Sequence, residues 1–291
     1  MTERNEHQEK ILSSLLHSLV PLKEFHRPDC EIYSFLELVS KTAVSSLFGE
    51  GTAQNANLEY LGKISFPYFS MGAINSTHLF GLDELIIFSF YWSNRHRYRK
   101  VADLGANIGL HSIVLSHIGY QVTAYEPDPI HFSQLQSNVK SNCTENTPVL
   151  INKAVSTRSG KLEFVRVVGN TTGSHLAGSK DNPYGELNKF IVEVDSFNSI
   201  CDAFDFLKID VEGHEADILL STTEENWQNT DSIVEIGNPS NAQKVFEHFN
   251  GTSINLFSQK IGWNQVSCMD EMPLSYKDGS LFISVKDNMP W

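Results

Sequence analysis

Apolar side chains recur at Ile11, Leu12, Leu15, Leu16 and Leu19, the spacing of one helix face, and the run ends before Pro21. A second run from Tyr33 to Phe48 keeps the same period, so residues 1 to about 60 are expected to be helical. A Gly- and aromatic-rich connector, Ile64 to Gly81, leads to an apolar helix over Leu82 to Trp92, whose Asp83-Glu84 start suits the positive end of the helix dipole. From Val101 the pattern changes. A short buried strand (Val101, Ala102) enters a glycine-bearing turn, Asp103 to Gly109, and an amphipathic helix follows with Ile108, Ile113, Val114 and Ile118, ended by Gly119. Further strands are predicted at Val122 to Tyr125, Val149 to Ile151, Phe206 to Ile209, Ile233 to Ile236, Ile254 to Phe257 and Leu281 to Val285. Helices carrying Phe132, Leu135 and Val139, and Asn241 to Phe249, lie among them, which makes the chain α/β. Alternation at Leu162, Phe164 and Val167, and again at Phe190, Val192 and Val194, gives two strands around a polar loop, Gly169 to Gly185. Such an insertion at a sheet rim is expected to build a substrate pocket or to be a long surface loop.

The turn after Val101 indicates the ligand. A dinucleotide site usually carries G-x-G-x-x-G, so that backbone N–H groups take a pyrophosphate. Here Asn107 replaces the middle glycine, the third is missing, and the carboxylate of Asp103 stands two residues before Gly105. A carboxylate so placed would repel a pyrophosphate and attract the ammonium of a methionine moiety. Glu126, about 20 residues past the turn, suits a bidentate bond to two ribose hydroxyls. An adenosine joined to a cationic amino acid is S-adenosylmethionine. The expected cofactor set is Asp103, Gly105, Ala106, Asn107, Gly109, His111, Ser112, Glu126, Pro127 and Asp210, with Asn152, Lys153 and Ala154 beside the adenine.

A second stretch with chemistry is Phe206 to Glu215, FLKIDVEGHE. The strand delivers Asp210 to its carboxyl end and Gly213 allows a tight turn, so Asp210, Glu212, His214 and Glu215 gather near the reacting methyl group, although one or two could simply cap the next helix. Transfer to an alcohol needs a proton acceptor; the candidates are His214, Glu212 and Asp210, in no fixed order, with His175 a weaker one. His175 and Asn238 are candidate acceptor contacts. A magnesium-assisted version stays open, in which Asp210, Glu235 and Asn238 at neighbouring strand ends offer oxygen ligands. The alternative is that Glu235 bonds only loop backbone.

Composition narrows the classes. With 41% hydrophobic and 20% charged residues the 291-residue chain is globular, and a net charge of −13 argues against nucleic acid as the acceptor. The basic cluster Arg95 to Lys100 is a solvated loop or a grip on a phosphorylated acceptor. Cys30, Cys143, Cys201 and Cys268 form no C-x-x-C pair and read as thiols of a reducing compartment. The charged amino terminus has no secretory h-region and Leu82 to Trp92 is too short to span a bilayer, so a cytoplasmic protein without a membrane span is expected.

DLGANIGLHS, YEPDP, LINKAVSTRSGKLEF and FLKIDVEGHE, in this order and spacing, resemble the FkbM family of S-adenosylmethionine-dependent methyltransferases over about Leu82 to Val285. The resemblance implies a Rossmann-like, seven-stranded class I methyltransferase sheet with its last strand antiparallel, and transfer to a hydroxyl, often of a sugar or polyketide. It implies that Asp103, Gly105, Asn107 and Glu126 hold the cofactor and that Asp210 to Glu215 line the reaction site. On this reading residues 82–291 are the methyltransferase domain. Residues 1–81 are a helical extension with its connector, serving packing, homo-oligomerisation or closure over the acceptor. An N-methyltransferase, an NAD-dependent oxidoreductase and a non-catalytic nucleotide-binding protein remain the alternatives.

Overall fold

The computed structural model of the chain describes residues 2–168, 173–178 and 186–291. Helices Thr2–Leu19 (α1) and Glu31–Phe48 (α2) and a hairpin of Asn55–Asn57 (β1) and Lys63–Ser65 (β2) precede Leu82–Ser93 (α3). Lys100–Leu104 (β3), Leu110–Ile118 (α4), Gln121–Tyr125 (β4), Pro129–Asn142 (α5) and Val149–Ile151 (β5) are right where the change of period predicted them. Gly119 ends α4 at φ 108°. Asp128 caps α5 through the Ile130 N–H, with Pro129 at the first turn. Ala154–Ser156 (β6), Gly160–Val168 (β7), His175–Leu176 (β8) and Glu186–Ser196 (β9) follow, then one helical turn, Phe197–Ile200 (α6). The chain finishes with Phe206–Ile209 (β10), Glu215–Leu220 (α7), Asp231–Glu235 (β11), Pro239–Phe249 (α8), Asn255–Ser258 (β12), Asn264–Gln265 (β13) and Ser280–Ser284 (β14).

The large sheet has the order β13-β12-β14-β11-β10-β3-β4-β5. β3, β4, β5, β10 and β11 are parallel, while β14 runs antiparallel to both β11 and β12, the reversed last strand that the resemblance implies. Beyond the expected seven strands, the two-residue β13 adds a short edge that tendency alone could not signal. Strand order runs outward to either side from β3 and β10, so the crevice of this sheet opens above their carboxyl ends. Leu104 pairs with Ile209 there, which sets the turn after β3 beside the loop after β10.

The strands after β5 do not join this sheet; β6, β9, β7 and β8 make a separate four-stranded sheet. Its apolar positions form a small cluster of their own around Phe164, Leu176 and Val192. One face of the large sheet shares a core with the amino-terminal helices, in which Leu12, Leu16, Val44 and Phe48 pack with Val101, Ile113 and Phe282. The other face packs Ala102, Leu207 and Val234 under α6, α7 and α8.

Candidate functional site

Backbone geometry fuses the two loops. Gly105 has φ 79°, and a Cβ there would lie 1.8 Å from the Asp210 carbonyl oxygen, so only glycine lets the loops meet. The Gly105 and Ala106 N–H groups both donate to the Tyr125 carbonyl at 3.0 and 2.9 Å, and Gly109 (φ 94°) passes so close to Leu135 that a side chain would collide with it. Asn107, itself at φ 52°, donates its N–H to Glu126 Oε2 at 2.8 Å; Glu126 Oε1 takes the Asp128 N–H at 2.8 Å. Burial pushes the Glu126 carboxyl up to about 8, although both N–H groups work against that shift.

These residues wall a first cleft of about 610 Å³, lined by Gly105, Asn107, Glu126, Pro127, Lys153, Ala154 and Asp210 from the expected cofactor set, together with Glu212. The buried Asn107 Oδ1 has no hydrogen-bond partner among the described residues. An adenosine bearing a ribose diol fits this wall: it offers donors to Glu126 and Asn107 and an apolar base to Ala154 and Val155. The remaining members of the set stand back from the cleft. Asn152 ties the Glu126 and Pro127 carbonyls at 2.8 and 3.2 Å, and Ser112 donates to Asp103 Oδ2 at 2.6 Å. Ala106 and Gly109 shape the turn by their backbone.

Asp103 departs from the expected geometry. It is fully buried, lines neither cleft, and its Oδ1 lies 3.7 Å from Lys208 Nζ, so the ammonium beside it belongs to the chain. His111 departs too: its Nε2 meets Glu84 Oε2 at 2.8 Å and its Nδ1 meets the Tyr91 hydroxyl at 2.9 Å, which aims Glu84 into a second cleft.

That second cleft, about 770 Å³, opens over β10, β11 and β14 and is lined by Lys208, Asp210, Glu235 and Ser280 together with Tyr33, Glu37, His78 and Glu84 from the amino-terminal third. Asp210 is the one described residue that lines both clefts. The Glu235 carboxylate takes no hydrogen bond from a described residue, and burial, followed by the charges of Asp210, Glu212 and Glu84, pushes its pKa well above the usual range. Neither Lys208 nor Glu84 was among the candidate site residues. A lysine inside an otherwise apolar central strand was the available signal for the first; the second lay hidden under the helix-dipole explanation of Asp83-Glu84.

The loop after β10 divides its acids. Asp210 and Glu212 reach the clefts, Glu212 at φ 55°. Glu215 turns inward and accepts the Val211 and Gly213 N–H groups at 3.0 and 2.9 Å, with burial pushing it up to about 7. His214 bonds Ser156 Oγ at 2.8 Å and Asp217 at 3.0 Å and lines neither cleft; burial lowers its pKa. Asn238 caps α8 through the Asn241 N–H at 2.9 Å. Of the three oxygen ligands expected for magnesium, Asp210 and Glu235 line the second cleft and Asn238 is engaged as that cap; among the described residues no three His, Cys, Asp or Glu are grouped to hold a metal ion.

The four-stranded sheet closes the first cleft, where Phe164, Ser174 and Leu176 line it. Arg166 anchors this sheet by two 2.6 Å hydrogen bonds to Asp128, its guanidinium 4.8 Å from the Phe190 ring centre. The insertion expected to build a substrate pocket thus lies, where described, over the cleft of Glu126. Its residues 169–172 and 179–185, including Asn170, Thr171 and Thr172, lie outside the described residues. His175 bonds the Gly173 carbonyl at 2.9 Å and does not line the cleft.

Residues 103–256 match the family described as Methyltransferase FkbM domain. The methyltransferase sdnD of Sordaria araneosa is 26% identical to the chain over an alignment covering 50% of this chain and 70% of that protein. Among solved structures, a SAM-dependent methyltransferase from Agrobacterium tumefaciens (9% identity, TM-score 0.37) covers 69% of this chain and monomeric WbdD (12% identity, TM-score 0.39) covers 70%. The chain spans 61% and 40% of those two structures.

Proposed function

The chain belongs to the FkbM family of S-adenosylmethionine-dependent methyltransferases, and on that premise we propose that it transfers a methyl group to a hydroxyl of a small molecule, a sugar or polyketide-type acceptor. The observation that carries the reading is Asp210, the single described residue common to the two clefts. A cofactor in the first cleft and an acceptor in the second would meet at that carboxylate, at the switch point of the sheet.

In this reading Glu126 and Asn107 take the ribose, and Lys153 and Ala154 flank the adenine. When bound, S-adenosylmethionine supplies an electrophilic methyl group on a sulfonium. The chain's task is to hold the acceptor oxygen in line with that methyl, exclude water and accept the hydroxyl proton. Asp210 is our proton acceptor, with Glu212 beside it in the first cleft. Glu215 and His214 would act at one remove, Glu215 by fixing the 211–213 backbone and His214 by tying that loop to Ser156. Residues 82–291 would form the catalytic domain, with residues 1–81 folded onto it as the outer wall of the acceptor cleft. No described helix is long and apolar enough to cross a membrane, and four free cysteines suit the reducing cytoplasm.

Calorimetric titration with S-adenosylhomocysteine and, in parallel, NAD tests the cofactor. Binding of the first alone is expected; preference for NAD overturns the proposal. Given that cofactor, Asp210→Asn should lower turnover of the acceptor by 10²-fold or more while leaving the fold intact, as read by circular dichroism.

A further inference from the structure

The chemistry above leaves Lys208 without a task. Its Nζ lies 3.2 Å from Asp210 Oδ2 and 3.7 Å from Asp103 Oδ1, and donates to the Gly105 carbonyl at 3.3 Å. The side chain is 9% exposed and comes from the middle of β10, where Phe206, Leu207 and Ile209 are all buried. A lysine in such a strand is an expensive residue unless its charge is matched. Burial by itself would lower its pKa, but Asp210, Asp103 and Glu84 outweigh burial and raise it, so the ammonium stays charged. One cation therefore joins the glycine turn, the carboxylate behind it and the carboxylate shared by both clefts.

We propose that Lys208 is a positioning residue that locks Asp103, Gly105 and Asp210 into one unit, and that its charge sets the preference of the site between the sulfonium and thioether forms of the cofactor. The inference rests on the methyltransferase reading. Asp210 attracts a sulfonium and is indifferent to a thioether; Lys208, within hydrogen-bond reach of Asp210, cancels part of that attraction. Methyl transfer removes the positive charge from sulfur, so a site too negative at this point would hold the starting state better than the transition state. A fixed ammonium holds the Asp210 carboxylate in place while limiting that hold.

The test compares the dissociation constants of S-adenosylmethionine and S-adenosylhomocysteine, measured calorimetrically at pH 8 and low salt, for the wild type, Lys208→Met and Lys208→Arg. Lys208→Met should raise the affinity ratio in favour of the sulfonium by about tenfold or more, and Lys208→Arg should keep it within about threefold of the wild type. Loss of a merely structural support would weaken both ligands equally and leave the ratio unchanged, and that result overturns the proposal. Lys208→Met strands the buried Asp103; if that variant does not fold, the pair Asp103→Asn with Lys208→Met leaves no deeply buried charge alone. It should still shift the ratio by about threefold or more, and an unchanged ratio there overturns the proposal as well. Failure of the wild type to bind S-adenosylhomocysteine is a separate outcome, which removes the methyltransferase reading itself.

Discussion

At Gly105 the chain has no room for a side chain: the backbone is left-handed and Asp210 stands where a Cβ would go. Gly105→Ala should therefore cost on the order of 3–4 kcal/mol in urea unfolding and abolish binding of S-adenosylhomocysteine. Glu126 allows a prediction with a sign. Its folded pKa of about 8 lies above the ordinary value of 4.5, so its contribution to stability is fully present below pH 4.5 and is lost as pH rises to about 8. Glu215, at about 7, acts in the same direction. Unfolding midpoints of the ligand-free protein should show a Glu126-dependent decline over this window, with a slope up to ~1.4 kcal/mol per pH unit, and Glu126→Gln should remove that part. A steeper decline in the variant would refute the assignment. At this scale the sequence was legible where backbone demands it: the glycines, Asn107 and Glu126 all fall on the first cleft or its turn. It was opaque where a carboxylate has two ways to face. Nothing in D-L-G-A-N tells that Asp103 looks inward to Ser112 and Lys208, because its charged partner, Lys208, lies more than 100 residues away.

Among the elements, the four-stranded sheet is tied to the start of α5, beside the first cleft, by a buried ion pair. Asp128 is almost fully buried and is needed twice, as the cap of α5 and as the partner of Arg166. Removing one member strands the other, so Arg166→Met should lower stability by about 3–5 kcal/mol. It should also weaken S-adenosylhomocysteine by about tenfold or more, because Phe164 and Leu176 would lose their fixed place on the cleft wall. Unchanged affinity would mean that this sheet is only a bystander. The alternation at Leu162–Val167 and Phe190–Val194 announced both long strands, and the structure pairs them over the full length of β7. Which sheet they would join was not legible, since period two specifies a strand but not its neighbour. The same limit applies to β13, whose two residues carry no period at all.

For the whole molecule, the amino-terminal helices are part of the main core. Leu12, Leu16, Leu47 and Phe48 are fully buried in the cluster that also holds Val101 and Ile113, and Tyr33 and Glu37 of α2 line the second cleft. A chain begun at Leu82 would expose that face of α3 and α4. It should be recovered as aggregate, and a soluble, cooperatively unfolding product would contradict this view. The helical spacing of residues 11–19 and 33–48 foretold the two helices and left packing, oligomerisation or closure open; the wall they build around Asp210 arises only from the way the chain wraps, which no local pattern encodes.

The contact between Gly105 and the Asp210 carbonyl has one more consequence, for attempts to retarget the enzyme. Two loops that touch backbone to backbone have no slack, so a residue inserted into 103–109 or 210–215 would force both motifs apart at once. Diversification of the acceptor should therefore succeed by exchanging side chains on α2, the 76–80 turn and α3, which reach the second cleft from outside, while length variants of the two central loops disappear from any selected library.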